Sequence, residues 1–119
     1  MPEYNTFKEF LTAFHDEVMS YEAKALEALE AGDSETYCKL MRKKAEKMVV
    51  LEYEAHAYLK NASEELRSYA AKSVKMFSAD AKLSLKMDSP FYWSALLWEE
   101  DAKKGDPDCL ETFIKDLPE

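Results

Sequence analysis

Tyr4-Asn5-Thr6-Phe7-Lys8-Glu9-Phe10-Leu11-Thr12-Ala13-Phe14-His15-Asp16-Glu17-Val18-Met19-Ser20-Tyr21-Glu22-Ala23-Lys24-Ala25 is the stretch that decides the fold class. Tyr4, Phe7, Leu11, Phe14, Val18, Tyr21 and Ala25 recur at alternating steps of three and four, which lays one continuous apolar stripe along a helix. Such a stripe must be covered by something else. Two later segments of similar length carry comparable stripes, so the chain reads as an all-α, antiparallel helical bundle whose faces cover one another. The expectation is three long helices, a shorter aromatic-rich helix and a short C-terminal helix, in a single domain over residues 1–119.

Capping residues place the joints. Thr6-Phe7-Lys8-Glu9 has the form of a capping box, with Thr6 accepting from a free amide and Glu9 reaching back to the cap. The first helix runs from there to about Ala31, where Gly32 can take the left-handed conformation and Asp33 or Ser34 can cap the next helix. The second helix turns Tyr37, Met41, Ala45, Met48, Ala55 and Leu59 inward, with Leu40, Val49 and Leu51 widening the stripe. Asn61, with Glu64 in the reciprocal position, caps a third helix that carries Leu66, Tyr69, Ala70, Val74, Phe77, Ala81 and Leu85 on its buried side. Without a turn there, one rod over residues 34–88 would span about 80 Å at about 1.5 Å per residue, too long for a monomer of this size to cover. Ser89 and Pro90 then open a fourth helix, Pro90–Lys104, and Asp106-Pro107 opens a last one ending near Lys115.

The phrase Gly-Asp followed two residues later by an acid occurs between helices at Gly32-Asp33-Ser34-Glu35 and again at Gly105-Asp106-Pro107-Asp108. It resembles the inter-helix turn of helical-hairpin repeat families such as the Sel1-like and tetratricopeptide proteins. The likeness is confined to these turns and implies no activity. Glycine ends one helix and aspartate caps the next.

Composition narrows the function. Apolar residues make up 47% and charged residues 34% of the 119 residues, a balance that supports a packed core without metal or disulfides. Two cysteines without CxxC spacing form neither a disulfide framework nor a zinc site, and a reducing, cytoplasmic setting is expected. The start Met1-Pro2-Glu3-Tyr4 lacks a basic region leading into an apolar core, and no apolar run has the length of a membrane span. A net charge of −8 sets nucleic acid aside as a partner, because phosphate binding draws on a basic surface. The acid concentrates at the ends: residues 1–31 hold seven acids and two bases, residues 90–119 eight and three. Those ends could offer an acidic surface to a basic partner.

Three kinds of chemistry have candidate residues in the sequence. A carboxylate metal site in a bundle wants Glu-x-x-His pairs projecting inward, yet Thr12 stands three before His15 and Tyr53 three before His56. What remains is Glu52 and His56 at i and i+4, with His15, Glu22 and Asp16 brought near by an antiparallel first hairpin. Cys109, in the first turn of the last helix, gains from the helix dipole and loses from Asp106 and Asp108, while Cys38 sits among packing residues. The basic group Lys39, Arg42, Lys43, Lys44 and Lys47 lacks the glycine-rich loop of a phosphate site.

The fourth helix stands apart, because Phe91, Tyr92, Trp93, Leu96, Leu97 and Trp98 surround most of it and one face cannot hold them all. The reading that follows is a small, acidic, non-catalytic interaction module without cofactor. It would meet a protein partner, or a second copy of itself, through Phe91, Tyr92, Trp93, Trp98, Glu99, Glu100 and Asp101. The rival readings are a metal-binding bundle using His15, Glu22, Glu52 and His56, and a carrier for an apolar ligand.

Overall fold

The computed structural model describes residues 4–118. Six helices follow in order: α1 (Phe7–Glu30), α2 (Ser34–Val49), α3 (Leu51–Leu59), α4 (Glu64–Met87), α5 (Pro90–Ala95) and α6 (Cys109–Lys115). No strand is found among the described residues, so the all-α class expected from the stripes holds.

The first hairpin forms as its sequence directs. Thr6 accepts from the amide of Glu9 at 3.0 Å, while the Glu9 carboxylate takes the amide of Asn5. At the other end Gly32 adopts φ +80°, its amide donates to Leu29, and Asp33 donates back to Ala28 at 2.8 Å. This pair of bonds satisfies carbonyls that the end of a helix leaves open. Asp33 then caps α2 through the amide of Thr36. The ion pairs Lys44–Glu22 and Lys47–Glu17 run in opposite senses along the two helices, which sets α1 and α2 antiparallel.

The second helix departs from the expected continuous run to Leu59: it breaks at Val50, with no proline or glycine present. The cause lies across the bundle. Buried Ser78 of α4 accepts from the amide of Glu52 at 3.0 Å and donates to the carbonyl of Met48 at 3.2 Å. These are the two groups that an unbroken helix would join directly, and a side chain inserted between them opens the turn.

Three further boundaries differ from expectation. Ser63, rather than Asn61, caps α4 by accepting from Leu66. The fourth helix ends at Ala95 instead of Lys104, because Leu96 turns to extended geometry and Leu97 takes φ +77°. That bend lets Leu96 and Leu97 both enter the core and offers the carbonyl of Leu97 to the amide of Cys109 at 2.8 Å. The last helix opens two residues later than expected, where Asp108 and Glu111 form a reciprocal capping box.

Packing is layered. α1 lies chiefly on α2, and α4 on α2 and α3, while α5 touches α2 and α4 and α6 touches α1. Residues 93–117 thus cover the bundle's open side with Trp93, Leu96, Leu97, Leu110, Phe113 and Leu117, and Tyr69 and Phe77 of α4 meet the Phe113 ring.

Ser78→Ala removes one oxygen and leaves two buried backbone groups without their bridge. Chemical denaturation should show a loss of about 1–3 kcal/mol, far more than an exposed serine costs.

Candidate functional site

The C-terminal segment is fastened by two polar locks under it. On α1, His15 and Glu22 stand seven residues apart, two helical turns, and both meet this segment. Glu22 Oε1 accepts from Lys44 Nζ at 2.7 Å and from the Trp98 indole at 3.0 Å, and Lys44 also donates to the carbonyl of Ser94. Lys44 is wholly buried, and burial pulls its ammonium below the ordinary lysine range although Glu22 pushes the other way. The second lock joins His15 Nε2 to Asp108 Oδ2 at 2.6 Å. The hydrogen bond it donates to Asp108 holds the imidazole above its usual pKa against the effect of burial, with Glu111 and Asp16 adding to it. Burial works to raise the Asp108 carboxyl, but His15 and the capping bonds to Glu111 outweigh it and hold it low.

His15, Asp108 and Glu111 are the one group of described residues whose ligand atoms lie close enough together to share a metal ion, within 4.8 Å. Their lone pairs are engaged: Asp108 Oδ1 and Glu111 Oε1 exchange capping bonds, and Asp108 Oδ2 meets His15. Of the four residues considered for a metal from the sequence, His15 and Glu22 belong to these two separate locks. Glu52 and His56 lie exposed on α3. The four are not gathered.

Cys109 lies 3.6 Å from Glu99, and burial with that carboxylate pushes its thiol upward. It stays protonated near neutrality, a poor nucleophile. Cys38 is half-buried.

The aromatic group divides. Trp93 is interior: its indole donates to the carbonyl of Ser84, and the Arg42 guanidinium lies 5.7 Å over its ring. Trp98 is half-buried on Glu22. Phe91 and Tyr92 face outward at 71% and 41% exposure, and Glu99, Glu100 and Asp101 are exposed on the turn beyond.

Beside Tyr92 runs a groove of about 410 Å³ between α4 and the segment after α5. Phe77, Leu96 and Leu97 line its inner side, Leu83 and Met87 of α4 form one wall, and Trp98 and Cys109 contribute to the other. Leu83 and Met87 are exposed by 59% and 48%, and Met76 by 55% on the same helix. These three did not stand out in the sequence. Their signal was there, since they fall outside the buried stripe of α4 yet share a line of their own.

The fold and this surface define an all-α protein with a buried ionic lock and an open apolar groove. No protein-family model matches the chain, and comparison with curated proteins and with solved structures finds no match. No helix among the described residues is long and apolar enough to cross a membrane.

Glu22→Ala strands the Lys44 ammonium in the core and should cost about 3–5 kcal/mol, whereas Lys44→Met should cost less because Glu22 keeps Trp98. Denaturant titration of both variants checks the order. The His15–Asp108 lock predicts a pH profile. With its folded pKa raised, His15 stabilises fully below about pH 6.5 and loses that contribution as pH climbs through the raised value. Asp108, held low, contributes fully above about pH 4 and loses it as pH falls through the depressed value. The denaturation midpoint should therefore drop between pH 6 and pH 9, and His15→Gln should flatten that drop.

Proposed function

We infer that this protein is a small interaction module that binds a protein partner through the α4–α5 groove, without catalysis. The observation that carries the reading is the concentration of large exposed apolar side chains, Leu83, Met87, Phe91 and Tyr92, on and beside one concave surface. Exposed leucine, methionine and aromatic groups scattered singly need no explanation, but grouped around a groove they mark a surface that gains by being covered.

On this reading the residues of the aromatic segment take different parts. Phe91 and Tyr92 supply rim contacts, Trp98 lies at the groove wall, and Trp93 anchors α5 from inside. Glu99, Glu100 and Asp101 add an acidic margin at the turn that follows. Buried Lys44 and Glu22 hold the wall residue Trp98 in place, so the ionic lock serves the surface indirectly.

Photocrosslinking tests this reading. A benzoylphenylalanine placed at position 92 should give a discrete protein adduct in the source cells, and the same group at exposed position 35 should not. Leu83→Glu, which leaves the core untouched, should reduce the adduct by at least about tenfold, the scale of a central interface residue. Equal labelling from both positions, or an adduct indifferent to Leu83→Glu, would refute the assignment.

A further inference from the structure

The groove's occupant is described by the charges along α4. At about 100° per residue, Met76, Leu83 and Met87 fall on one line, and Lys72, Lys75, Lys82 and Lys86 fall beside it on the edge away from the groove floor. All four lysines are exposed. Among the described residues none of them makes an ion pair, whereas on α2 Lys39, Arg42, Lys44 and Lys47 each meet a carboxylate. In a chain of net charge −8 this is a basic edge left without internal counter-charge. The groove side of the same helix has the other sign, since Asp80 of α4 lines the groove, and on the opposite wall Glu99 lies against Cys109.

We propose that the groove receives an amphipathic helix of a partner protein, apolar where it enters between α4 and α5 and acidic along the edge that lies over Lys72, Lys75, Lys82 and Lys86. This rests on the groove being the docking surface. Net negative charge does not exclude an acidic partner. Fields fade over about 8 Å at physiological salt, so carboxylates in contact with the row sense it well above the remote acids. Such pairing at the edge of an apolar contact fixes register and orientation.

Fluorescence anisotropy with two labelled helical peptides of about 18 residues, or about five turns, decides the matter. Both carry leucines at alternating three- and four-residue steps and glutamines along one polar edge. The first has glutamates along the other edge, and the second has lysines there. The acidic peptide should bind at least about tenfold more tightly than the basic one, with a preference that shrinks as salt is raised. Combined Lys75→Glu, Lys82→Glu and Lys86→Glu, at exposed unpaired positions, should reverse the preference with an unchanged circular dichroism spectrum. Equal or tighter binding of the basic peptide, or a preference that survives the charge reversal, overturns the acidic partner and leaves the docking surface standing. If neither peptide binds, or if Leu83→Glu leaves binding of both intact, the docking surface itself fails and the inference falls with it.

Discussion

The buried contact between Lys44 and Glu22 is the constraint around which the molecule is arranged. An ammonium with no exposure to water is costly unless every charge it faces is well placed. Here one carboxylate oxygen of α1 meets the ammonium of α2 and the indole of Trp98 together, and the lysine's remaining reach is taken by the carbonyl of Ser94. The pair therefore ties three parts of the chain at one point. Its geometry is satisfied only when the segment after α5 lies over the α1–α2 hairpin, so it selects one placement of that segment among the many that apolar burial alone would accept.

The remaining polar contacts extend the same arrangement. Trp93 is secured to the end of α4 through Ser84, Tyr69 donates to the carbonyl of Phe113, and His15 meets Asp108 at the start of α6. Each bond joins a side chain of one element to the C-terminal segment or to the helix beneath it. No buried side-chain polar atom among the described residues is left without a partner. A segment held in this way can bend sharply at Leu97 and still be rigid, and that bend forms the inner side of the groove. Architecture and candidate surface thus share a cause: what covers the core also shapes the cleft.

The surface itself combines an apolar line with separated charges. Leu83 and Met87 give little to the core, since the buried stripe of α4 is already supplied by Leu66, Ala70, Val74 and Ala81. What sets this face apart is their grouping with Phe91 and Tyr92 around a groove, since α1 also exposes Leu26 and Leu29. Lys39, Arg42, Lys44 and Lys47 of α2 meet neighbouring carboxylates, and the lysines on the outer edge of α4 do not. Lys44 and Lys47 reach acids of α1, and Lys39 and Arg42 find Glu35 and Glu46 one turn away on α2 itself, while the outer edge of α4 faces solvent.

Local chemistry in the sequence determined the helices: the stripe from Phe7 to Ala25, the Gly32 turn with its Asp33 cap and the Ser89-Pro90 start are all short-range, so they read without knowledge of the fold. It also located the aromatic segment as the region where one helical face could not hold every ring. Only the tertiary structure decided the break at Val50, the end of α5 at Ala95, the interior position of Trp93 and the pairing of His15 with Asp108 rather than with Glu52 or His56. Ser78 is 26 residues from Glu52, and Asp108 is 93 from His15. Such partners leave no trace in local spacing. The groove belongs to that second group, because a concave surface exists only where separate elements meet.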